Sequence, residues 1–394
     1  MSSTREFFYK YLAQTSDNPI SLEIEKAEGI YLFDKNGKKY IDLIAGVSVS
    51  NVGHRHKKVI DAIKEQTDKY LHLMVYGEYI QSPQVKLAKQ IVDVTPEQYN
   101  SVYFVNSGSE ATEGALKLAK RYTGRTEIIA FKNAYHGSTH GALSVLGDEY
   151  FKNSFRPLLP DIKFLEFNNE QDLENISNKT ACVIVEPVQG EGGVVIPKNN
   201  FLKKLQKKCN DTGALLIFDE IQTGFGRTGN LFAFETYDVR PDIFTIAKGM
   251  GGGMPLGGFV SSNEIMQVFK TNPVLGHITT FGGHPVSCAA AYASLQVILQ
   301  ENLAEKATKK GELFKKLLIH KKIKSIHGVG LFIAVEVENF IFLQKLLKES
   351  IKNGLIFDWF IFNDSHFRIA PPLTITNDEI ELSCKIILKS LDAV

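Results

Sequence analysis

The sequence predicts an α/β fold, a mostly parallel sheet with helices on both faces and a smaller α+β domain beside it, and three observations carry that expectation. Short apolar runs alternate with amphipathic stretches from about Lys57 to Ser261. The pattern changes after Gly283, where a long helical stretch opens. The 394 residues also exceed the ~250–300 over which a single core grows, so more than one domain is expected.

Taken in order, residues 1–50 contain IYLFD and KKYIDL around the turn Lys35-Asn36-Gly37, a hairpin expected to pack on the smaller domain. Residues 51–283 form the expected large domain. Its apolar runs SVYFV (101–105), EIIAF (127–131), IKFLEF (162–167), ACVIVEP (181–187), ALLIFDE (214–220) and DIFTIA (242–247) read as buried strands. Amphipathic stretches such as Gly108 to Arg121 and Asn200 to Asp211 separate them, and strand–helix alternation is the signature of a parallel sheet. Ligands of such sheets sit beyond the strand carboxyl ends. Residues 284–394 open with AAAYASLQVILQ and run through strands near 323–337 to a final helix near 377–391.

Composition narrows the function. Lys and Arg (45) balance Asp and Glu (44), which leaves no field to hold nucleic acid or an acidic membrane. The cysteines Cys182, Cys209, Cys288 and Cys384 lack CxxC spacing, as expected for thiols packed in a reducing cytoplasm. The opening Met1 to Glu6 has no signal-peptide pattern, and no run approaches the ~18–20 apolar residues of a membrane span.

Three segments carry chemistry. In FTIAKGMGGGMPLGGF (244–259) an apolar strand ends in Lys248, followed by glycines that let a planar ring approach the backbone. Alone, this also fits a surface lysine before a flexible loop. ALLIFDEIQTGFGRTG (214–229) places Asp219 and Glu220 at a strand end, where an aspartate could keep a pyridine nitrogen protonated or could serve a metal, a phosphate or a helix cap. VNSGSEATEGALKLAKRY (105–122) passes from strand to helix through small residues, an anion site by its free N–H groups and helix dipole. Its bland alternative makes Ser109 an N-cap and Glu110 and Glu113 dipole-compensating acids.

Together, in the order that strands of one sheet would deliver them, these segments resemble the class III, or ω-amino-acid, aminotransferases of pyridoxal-5′-phosphate (PLP) fold type I. The resemblance runs from Gly29 to the final helix. It implies a homodimeric PLP enzyme in which Lys248 holds the cofactor as a Schiff base and Asp219 meets the ring nitrogen. It further implies that Ser107, Gly108 and Ser109 bind the phosphate, that Tyr135 stacks on the ring with His136 in the same motif, and that Gln222 approaches the ring oxygen. Thr280, in HITTFGGHP (277–285), is implied to reach the neighbouring subunit's phosphate. Arg368, in FRIAPPL (367–373), would pair with a substrate carboxylate, and Glu191, in EPVQGEGGV (186–194), would cover Arg368 when an ω-amine binds.

The implied reaction moves an amino group by a ping-pong route from an ω-amine donor, N-acetylornithine or ornithine first, to a 2-oxo acid such as 2-oxoglutarate. Other donors, 4-aminobutyrate or lysine among them, stay open because Ser138 stands where relatives carry an arginine for the distal carboxylate. Val47 stands where ornithine enzymes place a tyrosine. A PLP mutase, racemase or decarboxylase on the same scaffold is the alternative chemistry. The His54/His56 and His136/His140 spacings are not read as a metal site, since further ligands are missing.

Overall fold

The computed structural model describes residues 3–394; Met1 and Ser2, on which part of the N-terminal reading falls, lie outside the described residues. After a short helix, Thr4–Tyr11, come three short strands: β1 (Ile24–Glu28), β2 (Tyr31–Asp34) and β3 (Lys39–Asp42). The expected hairpin is β2–β3, with Tyr31 opposite Ile41 and Asp34 Oδ1 accepting from the backbone N–H groups of Asn36 and Lys38 in the turn.

The next seven strands are β4 (Ser101–Val105), β5 (Glu127–Phe131), β6 (Ile162–Leu165), β7 (Thr180–Val185), β8 (Leu215–Asp219), β9 (Ile243–Ile246) and β10 (Gly257–Ser261). They form one sheet in the order β4-β10-β9-β8-β7-β5-β6. Every pairing from β9 through β6 is parallel, as the alternation of strands and helices requires. A seven-stranded sheet is what the family resemblance implies, but β10 is not among the apolar runs read as strands. It runs antiparallel to both β4 and β9, and its Gly-Gly-Phe-Val-Ser sequence reads as the tail of a glycine-rich loop. The glycine has a steric cause: a Cβ at Gly257 would stand 2.1 Å from Ser107 O, so only glycine lets β10 pass the turn after β4.

Both faces of the sheet are covered. On one, Ala111, Ala115 and Leu118 of the helix Gly108–Thr123 pack with Ile217, Ile243 and Phe259. On the other, Phe131, Phe218 and Phe244 pack with Phe201 and Leu205 of the helix Phe201–Thr212. Burying each such large side chain stabilises the fold by about 1.5–3 kcal/mol before entropy is counted. The result is a rigid platform whose strand ends cannot drift.

The remaining strands are β11 (Ser325–Val329), β12 (Phe332–Glu336), β13 (Leu355–Ile356), β14 (Asp358–Phe360) and β15 (Asn363–Ile369). Four of them make an antiparallel sheet in the order β11-β12-β15-β14, while β13 pairs parallel with β3 and extends the N-terminal hairpin. The final helix, Asn377–Ala393, starts on a capping box formed by Thr376 and Glu379. Among the described residues no helix is long and apolar enough to cross a membrane. All four cysteines are buried and unpaired.

Candidate active site

The carboxyl ends of β4, β7, β8 and β9 deliver residues to a cavity of about 500 Å³. Its walls include Ser107, Gly108, Ser109, Tyr135, His136, Asp219, Gln222 and Lys248, so eight of the residues named from the sequence meet in one place. Glu186, Asn106 and Ile221 line it too.

After β4 the chain turns into the helix Gly108–Thr123 with Ser107 as N-cap, its Oγ accepting from Glu110 N–H at 3.2 Å. Ser109 is therefore not the cap. Its Oγ instead accepts from Ser138 N–H at 3.2 Å, and the fit is close: a Cβ at Gly137, where φ is +127°, would stand 2.2 Å from that oxygen. The first-turn N–H groups of Gly108 and Ser109 thus face a cavity at the positive end of a helix, which suits an anionic group. Glu110 and Glu113 do more than balance the dipole. Glu110 Oε2 accepts from Asn106 N at 2.7 Å, and Glu113 Oε1 accepts from Thr139 Oγ1 at 2.6 Å and Gly141 N at 2.8 Å, which ties the Tyr135 loop to the helix.

Asp219 closes β8, buried at 4% exposure. Its Oδ2 accepts from His136 Nδ1 at 2.7 Å, and its Oδ1 accepts from Ile221 N at 3.1 Å and Thr245 Oγ1 at 3.3 Å. The carboxylate is fixed from behind, while an acceptor position toward the cavity stays free. His136 is a support for Asp219, and its other nitrogen, Nε2, is buried without a partner. Glu186, just past β7, accepts from Tyr135 N at 3.2 Å and Gly190 N at 3.1 Å, and burial pushes its carboxyl up to about 7.

Lys248 follows β9 by two residues and carries φ +45°, a left-handed conformation that a lysine adopts only when the surrounding structure holds it there. Burial holds its ammonium below the usual lysine range, and nearby Glu191 works in the opposite direction. Its Nζ lies 3.3 Å from Gln222 Oε1, while Gln222 Nε2 is buried with no partner.

Arg368 and Glu191 are absent from the cavity lining, but the charges of both act on Lys248. Arg368, on β15 and 1% exposed, gives Nη2 to both Glu191 oxygens at 2.8 and 2.9 Å. Its Nε and Nη1 make no hydrogen bond. Thr280 is exposed and lies outside its own chain's cavity lining. Ser138 Oγ reaches only Tyr135 Oη, at 3.1 Å, and the cavity wall contains no arginine. Among the described residues no three His, Cys, Asp or Glu side chains gather as a metal site, and His54 Nε2 pairs with Asp42 Oδ2 at 2.8 Å.

Comparison with known proteins agrees with this geometry. The family model for class-III aminotransferases matches residues 11–391. The acetylornithine aminotransferase of Methanopyrus kandleri is 39% identical over 383 residues, 96% of each chain. A [LysW]-aminoadipate semialdehyde/glutamate semialdehyde transaminase of Sulfurisphaera tokodaii is 39% identical over 80% of this chain and 82% of its own. Among solved structures, the ornithine aminotransferase of Toxoplasma gondii, described with partial occupancy of PLP at its active site, superimposes with a TM-score of 0.92 at 32% identity, covering 99% of this chain and 95% of its own. With the whole length matched and the strand-end lysine, aspartate and helix N-terminus brought into one cavity, the chain belongs to the class-III aminotransferases, enzymes that move amino groups with pyridoxal phosphate.

Proposed function

We propose that the protein transfers the terminal amino group of an N-acetylornithine-like donor to a 2-oxo acid, 2-oxoglutarate in the first instance, with Lys248 and Asp219 as its catalytic residues. The observation that carries this reading is the arginine covered by a glutamate: Arg368 Nη2 holds Glu191 at 2.8 Å while Nε and Nη1 make no hydrogen bond. A covered arginine lets an ω-amine enter with no carboxylate next to it. When glutamate binds, its α-carboxylate displaces Glu191 and takes the arginine, so one site serves both half-reactions.

The cavity's residues fit PLP. A helix N-terminus at Ser107 to Ser109 suits the phosphate, the backed carboxylate of Asp219 suits a protonated pyridine nitrogen, and Tyr135 offers a ring to stack. The orphaned Gln222 Nε2 is a donor placed for a ring oxygen, next to Lys248. When bound, PLP supplies an electrophilic carbon for the amine and a ring that takes up the electron pair of a breaking C–H bond. Lys248 Nζ would hold the cofactor and, once an incoming amine has freed it, would serve as the base for the proton on the amine-bearing carbon. Its depressed pKa favours the neutral amine that this step needs. Asp219 keeps its charge directed at the ring throughout, and His136 prevents it from turning away.

Names borne by the relatives support the donor class, and a panel of donors tests it. N-acetylornithine, ornithine, 4-aminobutyrate and lysine are each mixed with 2-oxoglutarate, and the glutamate formed is measured. N-acetylornithine is expected to give the highest kcat/KM, with stoichiometric glutamate. Product formed from a donor with neither glutamate from 2-oxoglutarate nor alanine from pyruvate would show a different PLP chemistry.

The same reading makes the protein a homodimer, with Thr280 serving the partner's site. Supporting it, the neighbours of the exposed Thr280 in sequence include exposed apolar side chains, Val274 at 70% and Phe281 at 54%, which a partner subunit could cover. Light scattering at micromolar concentration is expected to give twice the chain mass. A monomer that turns over at full rate would remove Thr280 from the site.

A further inference from the structure

A second acid stands beside Arg368, one that nothing in the motif pattern indicates. In the register of β14 with β15, Asp358 lies directly opposite Arg368. Its Oδ1 is 3.5 Å from Arg368 Nε, and this oxygen is buried without a hydrogen bond although the side chain as a whole is 21% exposed. One guanidinium is therefore flanked by two carboxylates, Glu191 on Nη2 and Asp358 on Nε, with the Phe360 ring facing it at 4.6 Å.

The two acids differ in freedom. Glu191 sits on a turn between the bridged residues Gln189 and Val195, and its Oε2 also accepts from Ile361 N–H at 3.0 Å. Its backbone belongs to no strand, though displacing the carboxylate from Arg368 also costs the Ile361 bond. Asp358 is part of a paired strand and follows β13, which itself pairs with β3, so its backbone is held opposite Arg368. A substrate carboxylate can replace Glu191, but it must then share Arg368 with Asp358.

We propose that Asp358 is a specificity-determining residue: a fixed negative charge beside Arg368 that weakens its grip on substrate carboxylates and so biases the enzyme toward donors with no carboxylate next to the reacting amine. The inference rests on the reading of Arg368 as the carboxylate receiver. Like charges that converge on one buried cation repel, and at this separation in a partly desolvated site the repulsion is a tenfold effect or more.

The device is sensitive to pH. Burial pushes the Asp358 carboxyl up to about 6, Arg368 on β15 pulls it down, and Glu191 and Asp42 push it up. Asp42, on β3, is itself paired with His54. Because the folded-state value lies above the ordinary one, the charge is present above about pH 6 and lost below it. Repulsion, and with it the bias, fades as pH falls through that value.

Glutarate tests this, since it offers carboxylates without a reacting amine. Its affinity for the holoenzyme is measured by calorimetry near pH 8 and near pH 5, for the native protein, Asp358→Asn and Arg368→Ala. Asp358→Asn is expected to bind glutarate about 10-fold more tightly than native at the higher pH and equally at the lower one. Arg368→Ala is expected to lose the binding at both. Equal or weaker binding by Asp358→Asn near pH 8, with Arg368→Ala inert, overturns the role of Asp358 and leaves Arg368 as the receiver. Native-like binding by Arg368→Ala overturns the receiver itself. Should Asp358→Asn fail to fold, Asp358→Ser is measured in the same way: tighter glutarate binding than native near pH 8 supports the proposal, and equal or weaker binding refutes it.

Discussion

Replacing Lys248 with alanine is expected to lower turnover by about 10⁴-fold or more, because in the proposed assignment one side chain supplies both the covalent hold on the cofactor and the proton carrier. The structure explains why no neighbour can substitute. Lys248 is the only lysine in the cavity lining, and no arginine or second primary amine accompanies it. The phosphate cradle at Ser107 to Ser109 and the carboxylate of Asp219 do not depend on Lys248, so the variant should still take up PLP, without the lysine-linked absorbance band. Added small primary amines should restore part of the rate by entering the space the side chain leaves. Turnover close to native in the alanine variant would remove Lys248 from the chemistry.

Asp219→Asn should cost about 10²–10³-fold in kcat, with a smaller change in KM. The amide keeps the shape but loses the charge that holds the ring nitrogen protonated where electron density accumulates. The surroundings sharpen the effect. Oδ2 accepts from His136 and Oδ1 from Ile221 N and Thr245 Oγ1, so an asparagine must turn its NH₂ either toward the imidazole or toward two existing donors. The half-reaction with the amine donor and the one with the oxo acid should slow together, since both route electrons into the same ring. A loss confined to one half-reaction would indicate that Asp219 contacts a substrate instead.

Much of this was readable from the chain because the chemistry sits where strands end. A run that is apolar until it reaches Asp219, or that stops at Ala247 before Lys248, marks both a buried strand and its carboxyl end, and local pattern suffices to see it. What pattern could not show depends on partners far along the chain. β10 is held only by pairing with β4 and β9, and its glycines hide it. The support of Asp219 by His136 spans 83 residues, and the approach of Asp358 to Arg368 exists only once β14 lies against β15. Capping by Ser107 in place of Ser109 is a finer matter, since either serine suits an N-cap and the turn after β4 decides between them. The missing arginine at Ser138 was plain in the sequence, and the structure adds that no other arginine lines the cavity to replace it.

Borohydride reduction of the purified, PLP-loaded protein followed by peptide mapping tests the central assignment with the fewest assumptions. Reduction turns the link between cofactor and lysine into a permanent bond, so the labelled peptide names the residue that holds it. The expected result is one cofactor per chain, on the peptide containing Lys248, and no label in Lys248→Ala. Label on any other lysine, or none in a protein that transfers amino groups, would contradict the assignment on which every step above depends.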